Sequence, residues 1–483
     1  MKAYALRIFP VIVALALLSA GCKSENATFA DPSDRPIGVF DSGTGGLTVL
    51  DKLLTLDLLD NEDFQYLADQ ANMPYGVYDS QGKSDLLRRL VKDDARFLTG
   101  DRYWKNAAEA APTGIKQPCK IVVIACNTAT AYGLADVSEM LGESGIRVIG
   151  VINAGVKATL DRLGFTAGRR GGEQTGSEVP QSEEPFAIGV LATPGTISSG
   201  AYERTIREEL ARRGITTPVT IVNQAGYGFA EAVDAEPDFV DPKLTAPRSS
   251  YRGPRIGTAD NSIKEELLPR YNFDPAGLLY REVPNNIPRA EGMPFVPPFD
   301  LMTDIQLNSA ANYARFNMVS LIERHRLSGS KAPLRAIILG CTHYPFELET
   351  LEKVVSELRS FRFMKDYPYR DLLPADLMLI DPARYTAVEC YEALRADSLL
   401  RQPSRKAVRT VRGYISVPAA GLDPGFLTPD GGLSFEYKYG RDSLAADTGT
   451  RQVPFSKENI SPATRDRIKA LLPATAGAIL PED

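Results

Sequence analysis

From Pro36 to Leu394 the chain repeats one pattern: a few consecutive apolar residues, a turn of small or polar residues, then apolar positions at helical spacing. Ile37–Phe40, Phe64–Ala68, Ile121–Ile124, Ile149–Ile152, Ile188–Leu191, Ala336–Leu339 and Leu377–Ile380 are the apolar runs. Such short unbroken runs mark strands buried on both faces, and so parallel sheets. Helical spacing opens at Leu47, covers Ser84–Leu98, runs from the Asn153–Gly155 turn to Leu163, covers Ile305–Glu323, and starts again at Pro382 and runs to Leu394. Strand and helix in alternation predict an α/β fold with parallel central sheets. Beyond Val411, Gly413–Val417 and Leu433–Tyr439 read as strand pieces, and Ser461 with Pro462 opens a helix. Gly100–Pro118 and Arg169–Pro185 read as surface loops.

Two of the apolar runs end in a thiol. KIVVIACNTAT places Cys126 after one strand, and RAIILGCTHYP places Cys341 after another. Two others end in glycine-rich turns, IGVFDSGTGG from Ile37 and IGVLATPGT from Ile188. The order is the same in each half, turn first and thiol second. Ile37 and Cys126 lie 89 positions apart and Ile188 and Cys341 lie 153 apart, an excess matched by the Pro-, Asn- and Arg-rich stretch 235–300. The pattern predicts two pseudo-equivalent α/β domains facing across a cleft: 36–152, joined by the returning segment 381–475, and 153–380, carrying an insertion at 235–300. Ligands of open α/β sheets bind at the carboxyl ends of strands, where both thiols stand.

Composition narrows the chemistry. A net charge of −6 over 483 residues gives no basic footprint for nucleic acid. Only two histidines, His325 and His343, are present, which excludes a histidine-rich metal centre, and the five cysteines show no CxxC or zinc spacing. The turn after Ile37 is neither a P-loop nor a GxGxxG fingerprint, although its backbone N–H groups and the following helix suit an anion. Cys119 and Cys390 read as small core residues, and His325 as a complement to a helix carboxyl end. Lys2, Arg7 and the apolar run Ile8–Leu18, ending in Leu18-Ser19-Ala20-Gly21-Cys22, resemble a bacterial lipoprotein leader. On that reading residues 1–22 are a signal peptide, Cys22 is the lipid anchor, 23–35 is a tether, and the protein is exported and membrane-bound on the periplasmic or cell-surface side.

Two thiols on opposite sides of a cleft suit one reaction in particular. One thiolate removes a proton from one face of a carbon while the other thiol returns a proton to the opposite face, which inverts a stereocentre with no cofactor and no metal. A free thiol has a pKa of about 8.5, so each needs a partner. Asp41 stands available to Cys126, and His343 to Cys341. Ser42, Asn127, Thr128 and Thr342 supply polar groups for a carboxylate and an ammonium, and the turn Pro74-Tyr75-Gly76 offers backbone donors and a phenol.

The segments IGVFDSGTGGLTVL, MPYG, IACNTATA, IGVLATPGTISSGAY and ILGCTHYP together resemble the cofactor-independent glutamate racemases of the aspartate/glutamate racemase superfamily. The resemblance spans most of Pro36–Leu394 apart from the insertions. It implies two α/β domains with the active site between them, interconversion of L- and D-glutamate for peptidoglycan, and room for a homodimer. It also implies that Cys126 and Cys341 are the acid/base pair, with Asp41 and His343 as their partners. Ser42, Pro74, Tyr75, Gly76, Asn127, Thr128 and Thr342 would line the amino-acid pocket with Asp41 and His343. The Cys-Thr-His form favours glutamate over aspartate. Departures stand at Asn153-Ala154, where the family has an acidic residue and proline, and at Asn223–Gly228, where it has a cysteine. Two other readings follow from the same residues: an anchored amino-acid-binding lipoprotein without turnover, and a racemase for aspartate or another acidic amino acid.

Overall fold

The computed structural model describes residues 31–165, 184–282, 302–403, 408–442 and 449–480; the leader, Cys22 and most of the tether lie outside them. In chain order the strands are β1 (Ile37–Asp41), β2 (Phe64–Ala68), the short pair β3 (Arg102–Tyr103) and β4 (Gly114–Ile115), β5 (Ile121–Ile124) and β6 (Arg147–Gly150). There follow β7 (Phe186–Ala192), β8 (Val219–Ala225), the pair β9 (Leu278–Glu282) and β10 (Met302–Leu307), β11 (Leu334–Gly340), β12 (Met378–Ile380), β13 (Val411–Pro418) and β14 (Thr450–Pro454).

Two sheets carry the molecule. The first has the order β14-β13-β2-β1-β5-β6 and the second β12-β11-β7-β8. All neighbours are parallel except β14, which runs antiparallel along β13. The apolar runs explain this directly, since every residue of β1, β2, β5 and β7 is buried. Asp41 is the last residue of β1, Cys126 lies two positions past β5, and Cys341 follows β11 at once. These three side chains therefore stand at the carboxyl ends of strands in both sheets.

Some elements differ from the sequence pattern. Val151-Ile152 opens the helix Val151–Arg162 rather than extending β6. Ile305 and Leu307 belong to β10, and the helix runs instead from Ala310 to Leu327, started by the Ser309 side chain accepting from the Asn312 N–H. Within Leu433–Tyr439 the alternation of Phe435, Tyr437 and Tyr439 mimics a strand, but Ser434 caps the short helix Phe435–Gly440. Residues 235–282 carry much of the core of the second half. Phe239, Tyr251, Tyr271 and Phe273 are buried in one core with Tyr313 and Phe316 of the helix Ala310–Leu327, so the described part of the insertion enlarges that core.

Candidate active site

One cavity of about 280 Å³ opens between the two sheets and is lined by both thiols, Cys126 and Cys341. Every site residue read from the sequence contributes to its wall: Asp41 and Ser42, Pro74-Tyr75-Gly76, Asn127 and Thr128, Thr342 and His343. No residue of 235–282 lines it among the described residues.

Cys126 is the N-cap of the helix Asn127–Gly142, and its sulfur accepts from the Ala129 N–H at 3.4 Å. Its other neighbour is the Ser42 hydroxyl, at 3.6 Å. Burial and the adjacent Asp41 carboxylate both push this thiol well above its ordinary pKa, which outweighs the favourable helix end. Asp41 itself is buried, and desolvation raises its carboxyl. One of its oxygens accepts from the Ser42 N–H at 2.8 Å and the other from the Thr342 hydroxyl at 3.2 Å, a bond that crosses the cleft.

Cys341 has the opposite surroundings. Its sulfur lies 3.5 Å from His343 Nδ1, and His343 Nε2 lies 3.0 Å from Asp234 Oδ2. Burial alone would strip the imidazole of its proton, but Asp234 reverses the sign and raises it well above 6.5. Asp234, which burial would likewise protonate, is held down at about 2 by His343 and Arg467. Cys126 therefore faces an anion and keeps its proton, whereas Cys341 faces the raised imidazole of His343.

The glycine-rich turn makes room for these groups. A Cβ on Gly45 would meet His343 Cε1 at 2.4 Å, and one on Gly46 would meet Asp41 Cβ at 2.4 Å. The turn thus lets the backbone of the first half approach Asp41 and His343, one from each half, without a side chain in the way. Tyr75 departs from the expectation of a phenol facing ligand: its hydroxyl is bound by Asp69 at 2.5 Å and Asp94 at 2.8 Å, so the loop presents its backbone. Asn127 accepts from the Tyr202 hydroxyl at 2.6 Å, leaving its N–H2 for a ligand. Thr128 lies 3.0 Å from both Thr193 and Thr196, which are 2.9 Å from each other, so three hydroxyls from two halves form a ring.

Other predicted residues lie where packing, not chemistry, places them. Cys119 and Cys390 are buried in the core, with burial pushing Cys119 up to about 12 and Cys390 upward also. His325 is in the last turn of its helix, but its Nε2 bonds the Ala332 carbonyl at 2.7 Å and burial lowers its pKa, so a tie to the following loop replaces a charge at the helix end. Asn153 and Ala154 are in a helix away from the cavity. Tyr227 lines the cavity from the Asn223–Gly228 stretch, which the sequence marks as a departure from the family, whereas sequence reading missed Asp234, Glu231 and Thr193. Only Thr193 carried a signal, as the residue ahead of Pro194-Gly195 in the repeated turn. Among the described residues no group of three or more His, Cys, Asp or Glu is placed to hold a metal ion.

No family model matches the chain. The glutamate racemase of Ruegeria sp. is 32% identical over 199 residues, 41% of this chain and 60% of that protein. That of Oceanobacillus iheyensis is 34% identical over 188 residues, 38% of this chain and 52% of the relative. The chain thus spans little more than half the length of these relatives. The match to the Lactobacillus johnsonii glutamate racemase is longer, at 29% identity over 369 residues, 76% of this chain and 84% of that one. Among solved structures, glutamate racemase from Francisella tularensis in complex with D-glutamate is 21% identical, covering 85% of this chain and 95% of that one with a TM-score of 0.44. The stretches this chain shares are those of named glutamate racemases from several bacteria.

Proposed function

We propose that the protein is a cofactor-independent racemase that interconverts L- and D-glutamate by two-thiol proton transfer at the α-carbon. The observation that carries this reading is the pair of thiols lining one cavity from opposite halves, with opposite electrostatic partners. In one direction Cys341, as thiolate beside His343, takes the α-proton, and Cys126, protonated beside Asp41, delivers its own to the other face. The reverse reaction exchanges the roles. Ser42, Asn127, Thr128, Thr342 and the backbone of Pro74–Gly76 bind and orient the amino acid, and their donors support the developing carbanion. Proton NMR with each glutamate enantiomer in deuterium oxide tests this: the α-proton signal is lost as the opposite enantiomer accumulates. Binding without exchange would leave the amino-acid-binding lipoprotein as the better reading.

The leader supports a further proposal, that the enzyme is exported and held at a bacterial membrane by a lipid on Cys22. Metabolic labelling with a radioactive fatty acid tests it, since label should enter the native chain and not Cys22→Ser. A product made outside the cytoplasm would serve peptidoglycan only after uptake.

A further inference from the structure

The tail, which shows no chemistry in its sequence, sends one side chain to the rear of the site. Arg467, on the helix Pro462–Leu471, donates through Nη2 to Asp234 Oδ1 at 2.6 Å and through Nη1 to the Val233 carbonyl. Its guanidinium also lies 5.3 Å from the centre of the Phe346 ring, three residues beyond His343. The second oxygen of Asp234 takes His343 Nε2, and His343 Nδ1 faces Cys341. Four groups thus run in line from the tail to one thiol, and none of them touches Cys126, whose neighbours are Asp41, Ser42 and the Ala129 N–H. Among the described residues Arg467 and His343 are the only cations paired with Asp234.

We propose that Arg467 is a positioning residue for the Cys341 half of the reaction. A carboxylate bound by a different cation on each oxygen cannot rotate, so Arg467 fixes the oxygen that receives His343 and thereby the imidazole edge that faces the sulfur. It also keeps Asp234 ionised in a buried setting, which burial alone would reverse. Without the guanidinium, Asp234 turns or takes a proton, and the imidazolium beside Cys341 loses its support. The hydrogen bonds of Cys126 and Asp41 to Ser42 and the Ala129 N–H involve none of these groups, so Arg467 touches that side only through the charge of His343 on Asp41.

The inference rests on the racemase reading, and its test separates the two. The equilibrium between enantiomers is one, so any variant lowers kcat/KM equally in both directions, and the asymmetry must be read from isotope effects. Arg467→Met in the full chain should lower kcat/KM about tenfold, the weight of one charge-assisted hydrogen bond. With α-deuterated glutamate, the primary isotope effect on kcat/KM should rise for the enantiomer whose α-hydrogen faces Cys341 and fall for the other. The first is identified as the enantiomer still exchanging its α-proton in Cys126→Ser. Arg467→Lys, which keeps a cation there, should restore part of both. Isotope effects are ratios and do not depend on the folded fraction, so a general loss of structure leaves them unchanged. No racemisation by the native chain overturns the racemase reading and this inference together. Racemisation with isotope effects that move alike for both enantiomers, or not at all, overturns the inference alone.

Discussion

Replacing Asp234 by asparagine removes one negative charge and keeps the shape of the side chain, which isolates what that charge does for His343. The native carboxyl sits at about 2 against an ordinary 3.8. At about 1.4 kcal/mol per tenfold, that difference corresponds to roughly 2 kcal/mol by which pairing with His343 and Arg467 outweighs desolvation. The sign fixes the pH window. A depressed carboxylate contributes stability that is present above its unfolded value near 3.8 and is lost as pH falls toward about 2. A raised imidazole contributes stability that is full below 6.5 and is lost as pH rises through its folded value. Urea unfolding of native chain and Asp234→Asn should therefore differ by roughly 2 kcal/mol in the neutral range and converge in strong acid. The imidazole itself can be watched, because the chain has only two histidines. In nitrogen-15 spectra His325 should lose its proton below 6.5 and His343 above it, and in Asp234→Asn burial should bring His343 below 6.5 as well. Two titrations both below 6.5 in the native chain would refute the reasoning, as would a His343 titration indifferent to the substitution.

Three further outcomes are expected. Cys126→Ser and Cys341→Ser should each lower racemisation in both directions, on the order of 10²–10⁴-fold, measured by circular dichroism of either enantiomer. Gly45→Ala places a methyl group against His343 Cε1, and a displacement of about 1 Å there should cost roughly 100-fold in kcat with little change in melting temperature. Lys120→Met breaks the buried pair with Glu62, at 2.5 Å, and should destabilise the fold by about 3–5 kcal/mol in urea, leaving the kcat of the folded fraction intact.

The sequence was most legible where a residue's role is local. Cys126 and Cys341 follow unbroken apolar runs, so their place at strand ends could be read from pattern alone, and Ser461 announces its helix by its own side chain. Asp234 was not legible, because nothing near it is periodic and its partner His343 lies 109 positions away. Arg467 was further still, reaching Asp234 across 233 positions. Tyr75 shows the converse: the turn was recognisable, yet the direction of its phenol depends on Asp94 in a separate helix. At Ile305 and Phe435 the apolar spacing suited either period, and the cap residues Ser309 and Ser434 decided the outcome. The stretch 235–282 carried enough aromatics to be core, but its Pro and Arg content masked them.

The hydroxyl ring of Thr128, Thr193 and Thr196 also bears on the character of the join between the halves. Around it the halves meet through Tyr132 on the Gly195 carbonyl at 3.1 Å, Ser198 on Asp79 at 2.9 Å and Thr342 on Asp41. A hydroxyl gives up a protein partner for water at a net cost of only about 0.5–1.5 kcal/mol. Were the same seam built of leucine and phenylalanine, each parting would expose apolar surface at roughly 25 cal/mol per Å². The join around this ring is therefore wettable: each of these hydroxyls can exchange its protein partner for water at small cost, which apolar side chains in the same place could not do.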